Sequence, residues 1–274
     1  MEDMNYKIYE FCRNGYNRVR YSIAHYKNTL IDNRPKLLIL THHRVLPEIA
    51  RDPLKTVVKL ETFIRQIDRL ALKYPVISLK EAVGQCRIAQ AKHQVQIALT
   101  FDDGYWDNYE IVFPILKKKG LPATFFLATD YIDGKALFSD RRVLDKNTGR
   151  PREFIEDRFI TWDQARKMSE AGMEIGSHGV SHNSLAGMPA DEARKEIFDS
   201  KITIEEKTGK AYIHFSFPFG SKADYNDELI RYVRGAGYKT CILNTHGYNH
   251  PGEDNFCFKR IIIGENTNIN TLLG

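Results

Sequence analysis

Val95-Gln96-Ile97-Ala98-Leu99-Thr100-Phe101-Asp102-Asp103-Gly104-Tyr105 is the stretch on which the fold turns. Its apolar, β-prone lead-in reads as a buried strand of an α/β protein. Two adjacent carboxylates stand where that strand should end, and Gly104 permits a sharp turn after them. Neighbouring side chains on a strand point to opposite faces, so both aspartates reach one site only if the strand is already curling into a loop. Two like charges this close repel unless a cation or a shared proton compensates them. A metal is the simplest compensation. Asp-Asp-Gly alone also suits the cap of a helix that follows a strand, so a second stretch has to decide.

Outward toward the N-terminus, Leu37-Leu38-Ile39-Leu40 is a short buried strand ending in Thr41-His42-His43-Arg44-Val45. Polar residues directly after a buried strand lie where α/β proteins build sites. Leu60, Phe63, Ile64, Ile67, Leu70 and Ala71 follow helical spacing. Val76-Ile77 reads as a strand, Ser78 as the cap of a helix from Leu79, and 89–94 as a polar linker. Downstream, Tyr109, Val112, Phe113 and Leu116 make a helical stripe with Pro114 inside it, closed by Lys117-Lys118-Lys119-Gly120. Further strands are expected over 123–128, 173–176, 213–217, 238–243 and 258–263, and helices over 161–172, 191–208 and 225–234. Residues 130–160 are polar and irregular and read as an insertion over the site face. The alternation of strand and helix without an internal linker is that of one parallel-sheet or barrel domain, 37–274. Before it, residues 1–36 mix aromatic and basic groups (Tyr6, Tyr9, Arg18, Arg20, Tyr21). They read as a helical arm lying on the domain, with a membrane-surface helix as the alternative.

The 274 residues, 42% of them apolar, suffice for one large α/β domain or two small ones. A net charge of +5 is only mildly basic, and the lysine run reads as a solvated helix end, so no nucleic acid is expected. Cys12, Cys86, Cys241 and Cys257 lie far apart with no CxxC. They read as free thiols of a reducing compartment rather than a disulfide frame or a zinc cluster. With no secretory leader and no bilayer-spanning run, the expected setting is cytoplasmic, with peripheral contact at the inner membrane face through the arm.

The deciding stretch is Ser177-His178-Gly179-Val180-Ser181-His182, two histidines four apart directly after a strand. On one helical turn or in a tight loop, both imidazoles can meet one cation. Two imidazoles and a carboxylate are a common arrangement for a catalytic divalent metal. A second carboxylate then stays free as a base while the metal activates water and polarises a carbonyl.

Thr100-Phe101-Asp102-Asp103-Gly104-Tyr105, Ser177-His178 through His182, and Phe217-Pro218-Phe219-Gly220 resemble, in order, the motifs of the polysaccharide deacetylases (carbohydrate esterase family 4, the NodB-homology domain). The resemblance implies a distorted (β/α)7 TIM-like barrel and metal-dependent removal of N-acetyl groups from amino sugars. It implies Asp102 as general base and Asp103, His178 and His182 as metal ligands, zinc first, with nickel, cobalt or iron(II) as alternatives. It also implies the Phe219 backbone N–H as an oxyanion donor.

The departures are Ser216, where the family often has an arginine steering the base, Gly179 in place of Ser or Thr, and the absence of a C-terminal Leu-x-x-His. In a branch resembling the biofilm polysaccharide deacetylases, that last motif is permuted to the first strand as Tyr-His. Leu40-Thr41-His42-His43 looks like that version, with His42 in the tyrosine's place, and makes His43 the general acid, with His246 and His250 as rivals. Arg260 is a candidate replacement for the missing arginine. Tyr105 and Trp106 are candidate sugar-lining residues, Trp106 equally a core residue. The expected function is deacetylation of an N-acetylhexosamine glycan or glycolipid precursor. The alternatives are a related hydrolase of a non-sugar amide or cyclic imide and a glycan-binding homologue with little turnover.

Overall fold

The structure, a computed structural model, describes residues 34–49, 52, 55–87, 94–135, 158–211 and 214–272. All but the last three residues of the expected arm, and most of the expected 130–160 insertion, lie outside the described residues.

Pro35–Thr267 forms one compact unit. It is built on a seven-stranded parallel sheet: β1 (Lys36–His42), β4 (Val95–Phe101), β5 (Thr124–Leu127), β6 (Glu174–Ser177), β7 (His214–Ser216), β8 (Thr240–Ile242) and β9 (Ile261–Ile262). The order across the sheet is β8-β7-β6-β5-β4-β1-β9. The Thr41 and Thr100 hydroxyls meet at 2.7 Å across the β1–β4 pair. The two outer strands are joined by the residues just before β9. Phe258 N–H donates to the Cys241 carbonyl, Leu243 N–H to that of Phe258, and Arg260 N–H to that of Thr245. The sheet thereby curls round on itself, as the barrel expectation requires. Strands covered on both faces read as continuous apolar runs, and in β4 every residue after Val95 is buried.

The connecting helices are α1 (Leu60–Lys73), α2 (Leu79–Arg87), α3 (Phe113–Lys119), the single turn α4 (Thr129–Ile132), α5 (Trp162–Glu170), α6 (Ala190–Thr208) and α7 (Asp227–Gly235). Helix α1 buries Phe63, Ile67 and Leu70, one stripe at helical spacing. Ser78 caps α2 as expected, its Oγ accepting from Glu81 N–H at 3.0 Å. A separate unit includes the chain from Asn268, with a short helix α8 (Ile269–Leu272).

Three local readings change. Val76 forms a single bridge to Ile97 rather than a strand. A small parallel pair, β2 (Arg44–Leu46) with β3 (Val57–Lys59), continues the chain after His43. The 109–116 stripe is a wide π-helical turn, Asn108–Val112, running into α3 with Pro114 in its first turn. Proline has no N–H to give, and the start of a helix is where that loss is tolerated.

Candidate active site

Every group of the site but one lies at or just beyond the C-terminal end of a strand, the mouth of a barrel. Asp102 and Asp103 follow β4. Asp103 adopts φ +74°, in the left-handed region, as does Gly104 at +77°. This bend brings two consecutive carboxylates to one place. A Cβ on Gly104 would lie 2.8 Å from Leu127 Cδ2, so the turn also needs the missing side chain.

His178 and His182 lie in the loop after β6, not on a helical turn. The loop is shaped from below by Glu196 of α6, whose carboxylate accepts the N–H groups of Val180 and Ser181 at 2.7 and 2.9 Å. Gly179, φ +80°, passes so close that a Cβ would stand 3.1 Å from that carboxylate, a physical reason for glycine there. Among the described residues, four non-glycine residues have a left-handed φ: Lys55, Asp103, His182 and Phe219. Three of the four belong to the site, where such strain tends to concentrate.

The ligand atoms of Asp103, His178 and His182 lie within 4.8 Å of one another. His182 Nε2 is 3.0 Å and His178 Nε2 3.5 Å from Asp103 Oδ1. His178 Nδ1 is 2.7 Å from the Ser216 carbonyl. A carbonyl only accepts, so Nδ1 carries the proton and Nε2 presents a lone pair. Burial lowers the His178 pKa to about 4 against the pull of Asp102, which keeps the ring neutral. Burial by itself would raise Asp103, but the imidazoles, His182 first, outweigh it and hold the carboxyl below the usual range. One carboxylate and two imidazoles fit a divalent transition metal.

Asp102 stands beside this trio, its Oδ2 3.7 Å from His178 Nε2. The same Oδ2 accepts from Arg260 Nη1 at 2.5 Å, while Oδ1 is buried with no hydrogen-bond partner. Arg260 is the exception to the strand-end rule. It precedes β9 and is buried along its whole length. Its Nη1 also reaches Ser216 Oγ at 3.1 Å. An arginine from the segment before β9 thus reaches Asp102 and Ser216 together.

His43, half-buried between β1 and β2, stands near enough to Asp103 to contribute to lowering its carboxyl. Its Nδ1 is buried without a hydrogen-bond partner. His42 points into the core, stacked on Phe101 at 5.2 Å with its edge to Phe63, and burial lowers its pKa to about 3. Of the rivals, His250 is 2.9 Å from the Pro35 carbonyl, before the start of β1 and away from the mouth. His246 is exposed in the loop after β8. Phe219, φ +58°, packs its ring 5.1 Å from that of His182. Tyr105 is buried against Phe159, with the Arg44 guanidinium 4.4 Å over its ring, so packing occupies it. Trp106 is half-buried under the Arg158 guanidinium at 4.7 Å. Sequence reasoning missed Glu196, Asp107 and Asn108. An acid on a charged helix or after a turn looks solvated, and no spacing signals its distant partner.

Residues 89–241 match the family described as Polysaccharide deacetylase. YxkH of Bacillus subtilis, assigned by name to the polysaccharide deacetylases, is 25% identical over 188 residues, 69% of this chain and 58% of that protein. The poly-beta-1,6-N-acetyl-D-glucosamine N-deacetylase of Escherichia coli K12 is 34% identical over 96 residues, 35% of this chain and 13% of the relative. The chain therefore spans less than two thirds of either relative. Among solved structures, the Streptococcus pyogenes deacetylase PplD in complex with acetate superposes with a TM-score of 0.71 at 23% identity, covering 88% of this chain and 97% of the other. IcaB from Ammonifex degensii gives 0.68 at 20%, covering 84% and 92%. These two likenesses show a shared fold. The family match takes in more than half of the sequence and both stretches that supply the Asp103–His178–His182 trio, and the chain belongs to the polysaccharide deacetylase family.

Proposed function

We propose that this chain is a metal-dependent hydrolase that removes acetyl groups from N-acetylhexosamine units of a polysaccharide or glycolipid precursor. The observation that carries the proposal is a buried carboxylate, Asp102, fixed by Arg260 beside the Asp103–His178–His182 trio without belonging to it. A protein that only binds glycan has no use for a second, separately held carboxylate. The name of the Escherichia coli relative supports an N-acetylglucosamine polymer as the substrate class.

A divalent ion held by Asp103, His178 and His182 supplies Lewis acidity at the mouth. Arg260 occupies Asp102 Oδ2 and leaves Oδ1 to take the proton from the attacking water. The Phe219 backbone N–H, in the left-handed turn between Pro218 and Gly220, donates to the developing oxyanion. His43 delivers a proton to the departing amine. Within the same proposal, the enzyme works in the cytoplasm, with peripheral contact of residues 1–36 at the inner membrane face as the alternative setting.

The test is acetate release from N-acetylglucosamine oligomers by purified protein, before and after chelation and after return of zinc. Release that stops on chelation and resumes with zinc supports the proposal. Metal-loaded protein that binds the oligomers and releases no acetate favours the glycan-binding alternative. Turnover of cyclic imides but not of oligomers favours the non-sugar hydrolase. Fractionation that places the protein outside the cytoplasm overturns the setting alone.

A further inference from the structure

We infer that Asp107 and Asn108, with Arg44, are positioning residues for the proposed general acid, His43. This deepens the reading above and rests on it. His43 is the single residue between β1, which pairs with β4, and β2, which pairs with β3. A hinge between two sheets has no ladder of its own, so the direction of its side chain depends on what holds the chain on each side.

On the β1 side, the hold is Asp102 N–H donating to the His42 carbonyl at 3.0 Å. On the β2 side it comes from the same turn, six residues further on. Asn108 Nδ2 donates to the His43 carbonyl at 2.8 Å. Asp107 Oδ1 accepts from Val45 N–H at 2.8 Å, and its Oδ2 accepts from Arg44 Nε at 3.0 Å. Asp107 and Asn108 have no exposed surface, and Arg44 is buried over the Tyr105 ring. A buried ion pair is weak evidence for stability, because desolvation offsets its attraction; its best-attested use is to fix one geometry. Burial raises the Asp107 carboxyl and Arg44 opposes the rise. Asn108 also opens the π-helical turn, a distortion that recurs at functional sites. One turn, Asp102 to Asn108, thereby carries the base and a metal ligand and sets the backbone of the acid that must face them.

The experiment compares two substrates on the same preparation. Deacetylation of an N-acetylglucosamine oligomer needs a proton on its leaving amine. Hydrolysis of 4-nitrophenyl acetate does not, since nitrophenolate leaves unaided. The variants are His43→Ala, Asn108→Ala, Arg44→Lys and the double variant His43→Ala with Asn108→Ala. Asn108→Ala is expected to lower kcat on the amide about 10- to 100-fold, part of the range that acid–base groups supply. The loss on the ester is expected to be several-fold smaller, with KM little changed. Arg44→Lys, which keeps the charge and loses the Nε donor to Asp107, moves the same ratio less. The double variant is expected to be no worse than His43→Ala. Because each amide-to-ester ratio is taken within one sample, a partly misfolded variant still reports. Equal losses on both substrates, or additive losses in the double variant, overturn the inference. An unchanged ratio in His43→Ala overturns the assignment of His43 itself. A wild-type chain inactive on both substrates overturns the proposed function, and this inference with it.

Discussion

The two ends of the sheet each hold a buried histidine beside a carboxylate, and they use them in opposite ways. At the mouth, His178 faces Asp102 and Asp103, Asp102 Oδ1 is buried without a hydrogen bond, and backbone strain surrounds the group. At the other end, where β5 to β8 begin, His214 lies 3.6 Å from Glu174, with Nδ1 2.7 Å from Thr240 Oγ1. There the carboxylate is saturated. It accepts from Thr124 Oγ1 and from the N–H groups of Leu79 and Lys80 at the start of α2. No residue of that cluster has a left-handed φ. The same residue types make a site where oxygens are left without donors and a brace where every oxygen is used.

The largest effect that would break this comparison is on Asp102. Asp102→Asn keeps the shape and the Arg260 contact but removes the proposed proton acceptor. Acetate release is expected to fall by about 10² to 10⁴, the usual contribution of a general base, while bound metal, measured by elemental analysis, stays near one per chain. Retention of most activity would make the mouth as structural as the base of the sheet.

Next in size is Glu196, which shapes the ligand loop without belonging to the trio. Val180 and Ser181 N–H share one oxygen, Glu196 Oε2, so Glu196→Ala removes the acceptor of both at once and is expected to weaken metal binding about 10-fold or more, as loss of outer partners of ligands commonly does. A chelator competition reads this directly. Unchanged affinity would mean that the left-handed His182 is held by other contacts.

The legible parts and the missed parts of this sequence differ in a physical way. The β4 stretch declares itself because a buried parallel strand must be apolar along its whole length, and two carboxylates at its end have few uses. The curl they require is present at Asp103. The pairing of these carboxylates with His178 and His182 was legible because each motif sits at a strand end, and parallel topology brings strand ends together. Arg260 was visible as one of two charges, with Lys259, in an otherwise apolar run, although nothing local says that it reaches Asp102 across 158 positions of sequence. The π-helical turn was hidden because its apolar stripe imitates an α-helix until Pro114 is asked for a hydrogen bond. The β2–β3 pair and the Arg44–Asp107 contact were hidden because short strands and buried ion pairs leave no periodicity.

At the base of the sheet the expected effects are on stability. Glu174→Gln leaves the α2 N-terminus and Thr124 with a weaker acceptor and is expected to cost about 1–3 kcal/mol, read from urea midpoints, with kcat and metal content unchanged. A fall in kcat at equal folding would mean that the two ends are coupled through β6.

The smallest expected effect is a slope. Burial lowers the His214 pKa to about 4, with Glu174 pulling the other way and Lys80 adding to the fall. The folded state therefore takes up this proton less readily than the unfolded chain, whose histidine titrates near 6.5. Between those values the unfolded chain binds more protons, so stability rises with pH. This contribution is fully present above pH 6.5, is lost as the pH falls toward 4, and is flat below that. His42 and His178 are lowered in the same direction and steepen the wild-type curve. His214→Gln keeps both and subtracts only one share, at most about 1.4 kcal/mol per pH unit. Urea midpoints at pH 7, 6, 5 and 4.5 are expected to converge between the two proteins as the pH falls. Curves that instead separate as the pH falls from 7 to 6 would mean that His214 already carries its proton at neutral pH. The base of the sheet would then hold a true ion pair, and its contrast with the mouth would rest on the saturated oxygens of Glu174 alone.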